Sequence, residues 1–276
     1  MWLNIGLISF QFNSNNHTIT THYASWLIEA LRNYEARTGS LPNLVLSAGF
    51  TCPDTAELAV LEREFSGKPV SIAVEMLDPA DSPLTGPRHL KGRGQFYVVG
   101  GGKTARIEPR QQFSSTGNVT EELAEKVVAG LAPNGSRRFS VQSRHVGWIE
   151  CGEINLLHCH KDGVRVRYEA LERRFFEAVT SLDIILNPQH TRMSRLHLLR
   201  KKAEALSAYK ILQAPPGRRW PIYAGTANWD CARQHGSQSS LQCVMRDGQQ
   251  LLPSSVIETE NYILSVFSVD IPQRLD

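Results

Sequence analysis

Val146-Gly-Trp-Ile-Glu-Cys-Gly-Glu-Ile-Asn155 is an apolar strand that runs directly into a cysteine followed by a glycine. Such a junction holds Cys151 on a sharp bend, where its sulfur is exposed and backbone N–H groups can meet an oxyanion. Taken alone, the segment fits equally a small buried hydrophobe, the usual role of a free cysteine. The order of the elements around it decides between the two.

Upstream, Phe139–Gln142 and His145–Glu150 read as strands, the second ending at Cys151. Downstream, Val164, Tyr168, Leu171, Phe175 and Ala178 mark one helix, and Met193, Leu196, Leu199, Ala203, Leu206 and Tyr209 a second. Between them Leu182–Leu186 is a buried strand ending in Asn187-Pro188. Strands at Ile222–Ala227, Leu241–Met245 and Tyr262–Val269 follow, with a turn at Asp247-Gly248. The first half has the same rhythm: a strand over 3–11, then a helix over about 20–36 carried by Tyr23, Trp26, Ala30 and Tyr34. Asn43–Ser47 is a strand, Pro53 opens a helix through Phe65, and Pro69–Met76 is a strand. Residues 78–94 are a Pro- and Gly-rich loop, and Gln95–Val99 with Thr104–Glu108 form a hairpin around Gly100-Gly101-Gly102-Lys103. Strands and helices alternate without a linker, which predicts one α/β domain over residues 1–276.

Composition narrows the function. With 41% apolar and 21% charged residues in 276, the chain reads as a globular protein with a large core. A formal charge of +3 gives no general pull on nucleic acid or membrane, and neither is expected as a partner. No apolar run is long enough to span a bilayer, and the apolar start lacks a basic leader. The five cysteines, Cys52, Cys151, Cys159, Cys231 and Cys243, are odd in number and lack CxxC spacing. That pattern suggests a reducing, cytoplasmic setting.

The ordered pieces resemble the nitrilase, or carbon–nitrogen hydrolase, superfamily over nearly the whole chain. Asn4-Ile-Gly-Leu-Ile-Ser-Phe-Gln11 resembles its opening strand, and Gly147-Trp-Ile-Glu-Cys-Gly-Glu153 its nucleophile elbow. Asp183-Ile-Ile-Leu-Asn-Pro188 resembles the strand after the elbow helix, and Thr226-Ala-Asn228 a later strand with its Asn. Asp247-Gly248 resembles the family's hairpin turn and Val266–Ile271 its closing strand. The resemblance implies a four-layer α-β-β-α sandwich, two stacked mixed sheets flanked by helices. It also implies a homodimer and a small amide or nitrile as substrate. No cofactor motif is present, so none is expected.

In that family a Glu acts as base, a Lys holds the tetrahedral intermediate and a Cys attacks. The resemblance gives Cys151 the nucleophile's place, but the matching carboxylate position holds Ala48, preceded by Ser47. Glu57 lies in the next helix and Glu75 ends a different strand, and neither is an evident replacement. For the Lys the candidates are Arg110, Arg106 and Lys103. Arg110 fits best by offset, although a guanidinium is a poor proton shuttle. Glu153 is the remaining base candidate, or else orders the elbow by accepting backbone hydrogen bonds. Glu121 and Glu122 fall near the family's auxiliary Glu, or are helix N-terminal charges.

Gln189 and His190 follow the Asn187-Pro188 strand end, which borders the pocket in this fold. His190 either meets substrate or caps the next helix. His158, Cys159 and His160 are too close together for a tetrahedral metal site and read as an exposed loop, so no metal is expected. Arg192, Arg195, Arg200, Lys201 and Lys202 read as a solvated helix face, with an anion site at Arg192 and Arg195 as the alternative. Two functional expectations follow: a divergent thiol-dependent carbon–nitrogen hydrolase, or a nitrilase-fold binding or scaffold protein that has lost the chemistry.

Overall fold

The computed structural model describes residues 2–12, 22–49, 51–77, 94–101, 105–107, 111–113, 116–191, 196–208, 210–212, 214, 219–230 and 241–271. In the first half β1 (Trp2–Phe12), β2 (Leu44–Ser47) and β3 (Ser71–Leu77) alternate with α1 (Tyr23–Thr38) and α2 (Thr55–Phe65). The hairpin β4 (Gly94–Gly100) and β5 (Ala105–Ile107) follows, then α3 (Glu121–Leu131), β6 (Arg138–Val141) and β7 (Arg144–Trp148). After the elbow come β8 (Leu157–Cys159), β9 (Val164–Val166), α4 (Glu172–Thr180), β10 (Ile184–Thr191) and α5 (Leu196–Ala208). The chain closes with β11 (Ile222–Asp230), β12 (Gln242–Arg246), β13 (Gln249–Gln250), β14 (Ser255–Glu258) and β15 (Tyr262–Asp270).

One sheet runs β5-β4-β3-β2-β1-β15-β14 and the other β6-β7-β10-β11-β12-β13. They join where the ends of β1 and β11 pair, at Gln11 with Trp229 and Phe12 with Asp230. Successive strand residues point to opposite faces, so each central strand is apolar on both. Leu44, Leu46, Ala73, Phe96, Trp148, Ile184 and Leu186 face the core between the sheets, where the Phe96 and Trp148 rings stack at 4.5 Å. Val45, Ile72 and Val74 face outward under α1 and α2. Ile185 and Tyr223 pack under α3, α4 and α5. This is the four-layer α-β-β-α sandwich.

Local chemistry explains the boundaries. Asp54 caps α2, its carboxylate accepting from the Ala56 and Glu57 N–H groups, each at 2.9 Å. Thr120 caps α3 through the Leu123 N–H, with Glu121 and Glu122 in the first turn, so these two carboxylates sit at a helix N-terminus. Asp247 and Gly248, both at positive φ, form the turn between β12 and β13.

Three expectations need correction. Val164 and Tyr168 do not belong to a helix running to Ala178: Val164–Val166 is a strand paired with β8, and α4 starts only at Glu172. The fourfold apolar spacing is shared between a hairpin and a helix. His158 and Cys159 accordingly lie on a strand and not in a loop. Lys202 is buried, not solvated, and donates to Asn155 Oδ1 at 2.6 Å. Burial first, and Arg167 after it, pull its ammonium down to about 8, against the opposing influence of Cys159.

Candidate active site

The site forms where β7 ends. Ile149 N–H donates to the Leu186 carbonyl at 2.8 Å, and Asn187 Nδ2 donates to the Ile149 carbonyl at 2.6 Å. These bonds pin the last strand residues to β10, and Cys151 then opens a short 3-10 helix, Cys151–Leu156. Its side chain is partly exposed. Cys52 and Cys243 differ: burial pushes each thiol up to about 12.

Glu153 is fully buried, and protein donors engage both its oxygens. Arg137, equally buried, meets Oε2 with Nη1 at 2.5 Å and Oε1 with Nη2 at 2.9 Å. The backbone N–H groups of Gln112 and Glu150 complete the set at 2.6 and 2.9 Å. A carboxylate so engaged orients the elbow; a base needs an open lone pair. It also draws residues 111–113 toward the nucleophile. Gly130 makes room for this arrangement, since a Cβ there would lie 2.7 Å from Arg137 Cδ.

The inward-facing rows bring a second set of groups to the mouth. On β10, Ile184 and Leu186 face the inter-sheet core; the pairing with β11 is irregular at His190, and the ring is placed by its contact with Glu75. On β3, Ala73 gives Glu75 the same parity. His190 Nε2 lies 3.3 Å from Glu75 Oε1, with the carboxylate fully buried and the imidazole 17% exposed. Cys151 and Glu75 both lie close enough to act on this ring. Burial alone would pull the imidazole down; the charges of Cys151 and Glu75, with the Glu75 hydrogen bond, outweigh it and push it up to about 10.

Asn228 fixes the ring's backbone, its Nδ2 donating to the His190 and Gly49 carbonyls at 2.9 and 2.8 Å while Oδ1 accepts from Phe10 N–H. Gly49 N–H donates to the Gln189 carbonyl at 2.9 Å. A Cβ at Gly49 would lie 2.5 Å from both Glu75 Oε2 and His190 Cδ2. The pair therefore closes over a position that only glycine leaves open.

Glu150, the residue before Cys151, is also fully buried. Among the described residues neither of its carboxyl oxygens has a hydrogen-bond partner. Burial first, then the charges of Glu75 and Glu153, hold its carboxyl well above the usual carboxylate range, against the pull of Arg137 and His190. An unpartnered charge in such surroundings is expensive, so the neutral acid is favoured.

Ala48 is buried just past the end of β2, its N–H donating to the Ile8 carbonyl at 3.0 Å. Gln189 is on the opposite face of β10 from His190, where it donates to Asn187 Oδ1 at 3.2 Å. It lines a narrow cleft with Leu199, Arg200, Tyr223 and Cys243. Glu57 accepts from the Ala24 N–H at 2.7 Å, tying α2 to α1. Lys103 and Arg110, the Arg106 side chain, and Arg192 and Arg195 lie outside the described residues. Among the described residues no group of three or more His, Cys, Asp or Glu side chains is placed to hold a metal ion.

The structure thus gathers Cys151 and His190, two residues marked in the sequence, with Glu75, which the family's pattern does not single out. The signal for Glu75 was present: a lone carboxylate in the apolar run Ser-Ile-Ala-Val-Glu-Met-Leu, at inward parity with Ala73. Arg137 gave no signal, because one arginine of the Arg137-Arg138 pair looks like any surface charge.

No protein-family profile matches the chain. No curated protein matches it either. Solved structures do. A CN-hydrolase superfamily protein from Xanthomonas campestris aligns at TM-score 0.57 and 11% identity, covering 98% of this chain and 91% of that one. A carbon–nitrogen hydrolase from Helicobacter pylori aligns at 0.51 and 11% identity, over 96% and 89%. A mutant amidase of the nitrilase superfamily from Nesterenkonia aligns at 0.50 and 12% identity, over 95% and 90%. The chain has the nitrilase-type fold.

Proposed function

We propose that the chain is a thiol-dependent carbon–nitrogen hydrolase that opens a small amide or nitrile with Cys151 as nucleophile. The observation that carries this reading is a partly exposed thiol at a strand-to-helix elbow, close enough to the His190 imidazole to raise its affinity for a proton. A thiol near its reference value of about 8.5 needs a base or cation beside it to become a competent nucleophile, and His190 is such a group. Similar structures that are named as amidases and carbon–nitrogen hydrolases support the reaction class.

Glu153 acts in this reading as the group that orients the elbow. Arg110 serves as the cation for the tetrahedral intermediate, on the strength of its offset in the sequence and the fixed charge of a guanidinium.

Titration with iodoacetamide from about pH 5 to pH 9 tests the nucleophile. Cys151 is expected to react far faster than Cys52 and Cys243; equal reactivity of the three would remove the enzyme reading. Ammonia release from a panel of small amides and nitriles then identifies the substrate.

A second reading, a binding protein without chemistry, is favoured by one observation: Ala48 puts a methyl group where the family keeps its carboxylate. Ala48→Glu separates the two. Amidase activity that appears only in this variant would support a lapsed site; the hydrolase reading expects none, since the added carboxylate would crowd the buried Glu75.

A further inference from the structure

We infer that His190 is the proton carrier of this site and Glu75 its positioning residue, so that the carboxylate lost at Ala48 has been replaced from the neighbouring strand through an imidazole. The inference rests on the reading of Cys151 as nucleophile and adds the groups that serve it.

Three observations carry it. First, β3 pairs directly with β2, so a carboxylate at Glu75 stands one strand over from Ala48, at the same end of the sheet. Second, the ring is oriented from both sides. Glu75 Oε1 meets Nε2 at 3.3 Å, while Asn228 holds the His190 carbonyl. The same ring lies close enough to Cys151 for the charge of the sulfur to act on it. Third, the neighbouring carboxyls are otherwise occupied: Glu153 is bound to Arg137, and Glu150 is buried without a cation of its own. Glu75 is the carboxylate that faces the ring. Gly49 keeps that approach open, because any side chain there would stand between the two.

The proton path then balances. Cys151 gives its proton to His190 before the attack, so that a thiolate beside an imidazolium bonds to the acyl carbon of an amide. The imidazolium returns that proton to the leaving nitrogen as the C–N bond breaks, releasing the amine and leaving a thioester. Water next attacks the thioester carbon and gives a proton to His190. The C–S bond breaks, a carboxylic acid departs, and the thiolate and imidazolium are restored. Through both halves Glu75 stays hydrogen-bonded to the ring and stabilises its charged form.

The test uses p-nitrophenyl acetate as an acyl donor that needs no knowledge of the natural substrate. Acetylation of Cys151 is followed by nitrophenolate release and by the mass of the labelled peptide. His190→Gln is expected to slow acetylation by about 10²–10⁴-fold. Glu75→Gln is expected to slow it by about tenfold or more, with the limb of the pH profile that reports the imidazole moved to lower pH, and Glu75→Asp to recover part of the rate. A merely structural Glu75 would change stability and leave the profile in place.

If the variants fold poorly, nitrogen NMR of 15N-histidine in the wild type decides instead. An imidazolium at His190 that persists at about pH 8 supports the pair, and a neutral ring there overturns it. Wild-type acetylation unaltered in His190→Gln, or a Glu75→Gln profile superimposed on the wild type's, would sink the relay alone. A wild type that takes no acetyl group at Cys151 would sink the hydrolase reading with it.

Discussion

Two buried pairs of carboxylate and cation flank the elbow, and they differ in one respect. At the base, Arg137 and Glu153 are both fully enclosed, and protein donors engage both carboxylate oxygens. At the mouth, His190 meets Glu75, feels the charge of Cys151, and retains some exposure. The first pair can only hold its surroundings in place. The second holds a titratable ring against a partly exposed thiol, which is the arrangement that proton transfer requires. Paired charge therefore serves two ends, and the exposure and neighbours left over after pairing decide which.

Breaking the mouth at its reacting atom has the largest expected effect. Cys151→Ala should abolish acetylation by p-nitrophenyl acetate while leaving a cooperative thermal melt; label retained on another residue in this variant would place the chemistry elsewhere.

Breaking the base should register as stability. Arg137→Met strands Glu153 without its cation, and loss of one partner of a buried pair costs about 3–5 kcal/mol. A denaturant midpoint close to the wild type's would show that the pair contributes little. Crowding the mouth should cost less: Gly49→Ala forces a methyl group against Glu75 and His190, for a loss of about 1–3 kcal/mol together with slower alkylation of Cys151.

The two remaining expectations concern pH. His190 is pushed from its ordinary 6.5 up to about 10 in the folded protein. A raised imidazole contributes stability that is fully present below the unfolded value and lost as pH rises through the folded one. The advantage in melting temperature of wild type over His190→Gln should therefore be greatest at or below pH 6.5 and shrink toward about pH 10. A constant gap would show that the ring is not charged by its partners.

Glu150 has the opposite sign. Its raised carboxyl costs stability as pH climbs above the ordinary 4.5. Glu150→Gln, which cannot ionise, should gain on the wild type over that range, by the smallest margin of the five. Parallel melting curves across pH would indicate an ionised Glu150 that has found a partner.

Most of the fold was legible in the residues. The β1, β2, β10 and β15 runs are apolar on both faces, as strands covered on both sides must be. Asp54 and Asp247-Gly248 marked their cap and turn by local chemistry alone. Legibility failed between Val164 and Ala178, where a hairpin and a helix together imitate one helical spacing. It failed again at Lys202, whose burial depends on Asn155 arriving from the elbow helix.

Of the site, the sequence marked Cys151 and His190 by their places at strand ends, and the absence at Ala48. Glu75 carried the right parity but ended a strand that the family's pattern does not use. Its role became visible only when β3 was seen beside β2, across the sandwich from β10.

The sequence by itself determined the alternation of elements, the elbow around Cys151 and which face each strand residue takes, because these depend on neighbours a few bonds apart. Only the tertiary structure decided which carboxylate meets which cation. Residues 75, 137, 151, 153 and 190 come together through sheet order and sandwich packing, and electrostatic energy depends on their distance in space, not along the chain.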